Sequence, residues 1–103
     1  MRATLSSTAL RDLLAAGEVI SGESRQAARS FSAAVSEALS MIGRHRDIGA
    51  FKRELADPPV RFWVLQRFHY LLVYDASASP PVVLRVLHGA RDLPNLLSGL
   101  RSD

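Results

Sequence analysis

The sequence contains no cysteine. Disulfides, thiolate nucleophiles, cysteine-ligated zinc and iron–sulfur clusters are excluded, and the chain suits a reducing compartment. Long apolar runs are missing too. No stretch approaches the roughly 20 apolar residues that cross a bilayer, and the opening MRATLSSTAL lacks the apolar centre of a signal peptide. A cytoplasmic protein without membrane contact is the expectation. Catalytic signatures are equally sparse: there is no G-x-S-x-G elbow, no H-E-x-x-H pair and no glycine-rich phosphate loop. His45, His69 and His88 are scattered, so neither a metal site nor a cofactor is expected, and Asp75 and Asp92 sit at loop or cap positions rather than as a glycosidase-like carboxylate pair. Lysine is nearly absent: Lys52 is the only one among 13 basic residues, and the net charge is +3. The basic surface is therefore arginine, whose planar fork grips phosphate or carboxylate in a bidentate way. So small an excess serves a solvated surface as readily as nucleic-acid binding.

What is present points to a globular protein. The 103 residues are 48% hydrophobic and 22% charged, which is room for one domain spanning residues 1–103. Residues 2–6 form a short first strand. Ser6 and Ser7 are candidate helix caps, and Leu10, Leu13, Leu14 and Gly17 follow at helical spacing, with Gly22 expected to end the helix. Residues 24–42 carry a second helical stripe, Ala28, Phe31, Val35, Ala38, Leu39 and Ile42, with Gly43 as a left-handed cap. The two helices form an antiparallel hairpin. The polar segment 43–59 connects it to the rest, tacked down by Ile48, Phe51 and Leu55, and Pro58 and Pro59 stop any helix there.

Three strands are predicted next, Arg61–Leu65, Phe68–Tyr74 and Val82–His88, rich in aromatic and β-branched residues. A tight turn near Gln66 and Arg67 joins the first two, and DASASPP joins the last two. The fold class is α+β: an N-terminal helical hairpin packed on a small antiparallel β-sheet, with a short C-terminal helical tail. Alternation puts Val82, Leu84, Val86 and His88 on one face of the last strand and Val83, Arg85 and Leu87 on the other. Both faces are largely apolar, so one covers the helices and the other is half-covered or binds a partner. In the tail, Asp92 is a candidate N-cap, Pro94 suits the first turn, and Gly99 ends it.

The arginines are the residues left to carry function. Arg61, Arg67, Arg85 and Arg91 lie on or beside the sheet, and RVLHGARDL (Arg85 to Leu93) adds His88 at a strand end. An arginine in an apolar strand must face water, pair with an acid or meet a ligand; for Arg85 the candidate acids are Asp92 and Asp75, and the candidate ligands are a phosphate backbone or an acidic protein surface. Metal-free RNA cleavage requires a base, an acid and cations on the phosphate. The cations exist in Arg61, Arg67 and Arg85, but only His69 and His88 offer acid–base chemistry, since Tyr70 and Tyr74 lie in a strand expected to be buried.

Three pieces carry a family resemblance: LSSTALRDL (Leu5 to Leu13), VRFWVLQRFHYLLVYD (Val60 to Asp75) and VLRVLHGARDLPNLL (Val83 to Leu97). Together they resemble the ParE branch of the RelE/ParE toxin superfamily. The linker 43–59 matches loosely, and Asp57-Pro58-Pro59 departs from the usual short approach to the central hairpin. The resemblance implies a growth-inhibiting toxin of a type II toxin–antitoxin system, neutralised by a small acidic antitoxin encoded next to it, with DNA gyrase as target. RelE-like relatives instead cleave mRNA on the ribosome, often with a tail tyrosine that this chain lacks. Under that alternative His88, Arg85 and Arg61 are the catalytic candidates. A third possibility is an inactive interaction module. Under the binding-toxin reading Arg61, Arg67, Arg85, His88 and Arg91 form the surface for target or antitoxin, and no catalytic residue is required.

Overall fold

The computed structural model describes residues 1–101. The chain runs through β1 (Thr4–Leu5), α1 (Ser7–Glu23), α2 (Arg25–Arg44), β2 (Val60–Leu65), β3 (Tyr70–Asp75), β4 (Val82–His88) and a single-turn α3 (Leu93–Leu96). Ser6 caps α1 by accepting from the Ala9 N–H at 3.0 Å, and its hydroxyl donates to the Leu84 carbonyl at 3.1 Å. One serine therefore both starts the helix and fastens it to the last strand. The helix does not end at Gly22. Its terminator is Ser24, an extended residue whose N–H donates to the Ile20 carbonyl and whose Oγ accepts from the Ala27 N–H. A glycine in an exposed helix costs about 1 kcal/mol, which a residue that caps two helices at once overrides. Gly43 likewise lies inside α2, and no glycine among the described residues has a positive φ. Its lack of a side chain serves a crossing instead: a Cβ there would overlap the Met1 carbonyl and the Arg2 backbone. The N-terminal segment passes over α2 at this point, and the Ala3 N–H donates to the Leu39 carbonyl.

The sheet has the order β1-β4-β3-β2. The meander β2–β3–β4 is antiparallel as expected, whereas β1 adds to β4 in parallel, so the sheet is mixed. At the tight turn, Gln66–Phe68 form one turn of 3-10 helix and His69 takes the left-handed conformation (φ 59°), so β3 starts at Tyr70 and Phe68 lies outside it. Between β3 and β4 the register slips: Tyr74 pairs with Val83 and Val73 with Arg85, leaving Leu84 as the extra residue of a bulge. Simple alternation therefore fails in β4. Val83 and Val86 both join the core under the helices, while Leu84 and Leu87 both join the opposite side.

Two apolar clusters result. The larger lies between hairpin and sheet and includes Phe31, Val35, Ile42, Leu72, Tyr74 and Val86. The smaller, with Val60, Phe62, Val73 and Leu87, sits on the other face, where the tail covers it through buried Leu97 with Leu93, Leu96 and Leu100. The Asp57 N–H ties this tail to the linker by donating to the Leu100 carbonyl at 2.8 Å. Asp92 does occupy the N-cap position of α3, with Pro94 in the first turn, but its side chain makes no capping hydrogen bond. In the linker Ala50 bridges to Phe62 and Ile48 packs on the core, whereas Phe51 is 42% exposed. No helix among the described residues is long and apolar enough to cross a membrane.

Candidate functional site

The sheet separates the five expected contact residues into two groups. Arg85 is half-buried and tied to the scaffold. Its Nε and Nη2 donate to the two carboxylate oxygens of Asp12 on α1, at 2.7 and 3.1 Å, and the Val86 N–H donates to the same carboxylate at 3.0 Å. The acid is thus Asp12, not Asp92 or Asp75. Asp75 instead accepts from the Ser77 N–H and hydroxyl in the loop that follows it, and Asp92 is exposed. Beside the bulge, Asp12 satisfies both the guanidinium and a strand N–H, and hydrogen bonding to Asp12 raises the Arg85 pKa above its ordinary value. The sequence offered one signal for this pair: Asp12 shares a stripe of α1 with buried Ala9 and Ala16, and an acid on an apolar stripe needs a partner.

Arg61 is also engaged in the scaffold. Its Nη1 donates to the Gly49 and Asp47 carbonyls at 2.8 and 3.2 Å, its Nη2 lies 3.4 Å from the Asp47 carboxylate, and the guanidinium stacks 4.0 Å above the Phe51 ring. Next to it, fully buried Tyr74 accepts from the Gly49 N–H and donates to the Arg46 carbonyl, both at 2.8 Å. Burial pushes its phenol above the ordinary value near 10, against the hydrogen bond from Gly49 and the charge of Arg61. Arg46 donates to the Ala76 and Ala78 carbonyls. Arginine, tyrosine and backbone together fix the polar linker to the Asp75 end of the sheet.

The opposite end differs. Tyr70 and His88 face each other across β3 and β4, their rings 5.1 Å apart and nearly perpendicular, and Tyr70 leans on Phe31 of the core at 5.2 Å. Tyr70 is half-buried rather than buried. His69 is exposed, its carbonyl taken by the Gly89 N–H at 2.7 Å. Arg67 and Arg91 are exposed. Arg67, His69, Tyr70 and His88 line one cleft of about 280 Å³, into which Glu23 also faces. His88 and Arg91 line a second with Val19, and His69 and His88 a third with Val64 and Leu71. The structure therefore gathers Arg67, His88 and Arg91 at one sheet end and adds His69 and Tyr70. Arg61 pairs in register with Tyr74, which lies about 13 Å along the strand from Tyr70 at about 3.3 Å per residue.

Hydrogen bonding defines what His88 offers. Its Nδ1 accepts from the Ala90 N–H at 3.1 Å, so the neutral ring carries its proton on Nε2. Nε2–H is thereby left as a hydrogen-bond donor. With Arg85 held by Asp12 and Arg61 by the linker, the three residues of the ribonuclease alternative do not converge. The arrangement suits donation of hydrogen bonds to an acidic or phosphate-bearing surface. No group of three or more His, Cys, Asp or Glu side chains able to hold a metal ion occurs among the described residues.

The family model described as the ParE toxin of type II toxin–antitoxin system, parDE, matches residues 3–93. No curated protein matches significantly.

Proposed function

The chain belongs to the ParE toxin family of type II toxin–antitoxin systems, and from that premise we propose that it arrests growth in the cytoplasm by binding DNA gyrase, without chemistry of its own. The family also implies a cognate antitoxin partner; in this proposal that partner is a small acidic protein encoded by the adjacent gene, and it neutralises the toxin by binding. The observation that carries the reading, beyond the family match, is the sheet end at Tyr70 and His88. Arg67, Arg91 and the Nε2–H of His88 are donors left over once Arg61 and Arg85 are committed to the scaffold. A cluster of donors suits holding an acidic or phosphate-bearing target.

The test is a supercoiling assay with purified protein, gyrase and relaxed plasmid, with detergent trapping of cleaved complexes. Dose-dependent loss of supercoiling or accumulation of cleaved plasmid is expected, and primer extension on translated mRNA should show no new ends. Unchanged gyrase activity at large molar excess would contradict the proposal, as would mRNA cleavage that disappears in His88→Ala while the protein stays folded.

A further inference from the structure

We infer that the outer face of α1 is a contact between two copies of this chain, formed by antiparallel pairing of their α1 helices. The inference does not depend on which enzyme the toxin inhibits. It starts from where the exposed apolar side chains lie. Six large hydrophobic residues among the described ones are exposed, and three of them, Leu10, Leu14 and Val19 at 46, 60 and 64%, are on α1. α2 exposes no large one; its outer positions include Arg29, Ser32, Ser36 and Glu37. A helix with one face on the core is polar on the other when water is its only neighbour there. α2 fits that rule and α1 does not. The glycines add a second sign. Gly17 and Gly22 lie inside α1, where glycine weakens a helix. A Cβ at either would meet nothing within 4 Å, so the single chain gives no reason for them. At Gly22, on the outer face, the close approach of another backbone is such a reason.

The charges choose the occupant. Alternating steps of four and three residues align Ser7, Arg11, Leu14, Glu18 and Ser21 along the outer face, all of them exposed. The two charges are opposite in sign and two helical turns apart, and neither makes an ion pair among the described residues. A two-fold axis between Leu14 and Ala15 sets Arg11 of each copy level with Glu18 of the other. The same axis puts Leu14 beside Leu14 and Ser7 level with Gly22, so the surface is complementary to itself. A parallel pair would set like charges against each other. A uniformly acidic partner would meet Glu18 as well as Arg11.

Leu10 and Val19 border the contact on its two flanks. Val19 also lines a cleft with His88 and Arg91, and two-fold symmetry places that cleft of both copies on the same side of the dimer. The dimer therefore presents two open sheet ends together.

One helix face is a small contact, below the roughly 1,200 Å² of stable complexes, so the association is weak and reversible. The test is sedimentation equilibrium of the full chain from about 10 μM to about 1 mM, a range that brackets such affinities. A monomer–dimer equilibrium is expected. Arg11→Glu alone, or Glu18→Arg alone, sets like charges against each other at both pairs and should weaken the dimer at least about tenfold. An equimolar mixture of these two variants restores opposite charges at both pairs and should associate at least as tightly as the parent. Gly22→Gln places a side chain between the helices and should also weaken the dimer, while the melting temperature of dilute protein holds or rises because glutamine is the better helix former. A single monomeric species up to about 1 mM, well above the Kd of a specific contact, would overturn the inference and leave the face to a different partner. So would single charge variants that dimerise like the parent, or a mixture that associates no better than its components.

Discussion

The two ends of β3 carry similar side chains and use them in opposite ways. At the Asp75 end, a tyrosine and two arginines are consumed by the fold: Tyr74, Arg61 and Arg46 bond to backbone carbonyls and amides of the linker and the β3–β4 loop. At the Tyr70 end, a tyrosine, two histidines and two arginines surround clefts, and only His88 spends a side-chain nitrogen on the backbone. A count of arginines does not distinguish scaffold from surface. What distinguishes them is whether orphan backbone groups lie within reach. The long linker supplies such groups at one end, and the tight Gln66–Phe68 turn supplies few at the other.

The comparison can be broken from either side. The largest effect is expected where a charge is fixed beneath α1. Asp12→Ala leaves the Arg85 guanidinium and the Val86 N–H without their acceptor and should lower stability by about 2–3 kcal/mol in urea unfolding, the pair being partly rather than fully buried. A loss below about 0.5 kcal/mol, the range of ordinary surface changes, would show that Arg85 is not held there. Tyr74→Phe comes next. It strands the Gly49 N–H and Arg46 carbonyl, at a cost of about 1–3 kcal/mol.

Tyr74 also predicts a pH dependence. Burial raises its pKa above the ordinary 10, so above pH 10 the unfolded chain releases this proton while the folded chain keeps it. The stability contributed by the raised pKa is complete below pH 10 and is lost as pH climbs through the folded value. Thermal unfolding of parent and Tyr74→Phe across the alkaline range should show a steeper decline in the parent. The smallest stability effects belong to the open end: Arg67→Ala and Arg91→Ala should each change stability by less than about 0.5 kcal/mol, as read by the same urea curves.

The fold was largely legible because its strongest signals are periodic. The α2 stripe through Phe31, Val35 and Ile42 is buried as spaced, and Ser6 caps α1 as read. Misreadings occurred where one residue decides geometry that composition does not encode. Gly22 and Gly43 have the look of helix ends, but a serine with two capping bonds ends α1, α2 runs on to a cap at His45, and Gly43 instead makes room for a crossing backbone. The Leu84 bulge is invisible to alternation, which assumes one residue per partner. In the site, His88 and the two exposed arginines could be named from sequence. That Arg85 would find Asp12, 73 positions away, depended on tertiary packing. His69 joined the cluster because a left-handed turn presents it beside His88, a conformation its sequence neighbours do not announce.

The central claim is that cations at the open end meet the target while those at the fixed end hold the fold. Its most direct test is the toxin dose that halves gyrase supercoiling, measured side by side for the parent, the Arg67→Ala/Arg91→Ala variant and folded Arg61→Ala. The account predicts that the double variant needs at least about tenfold more protein, as when contact-centre residues are truncated, at an unchanged melting temperature, and that Arg61→Ala matches the parent dose despite melting earlier. A double variant as potent as the parent, or a parent with no effect on gyrase, would contradict it.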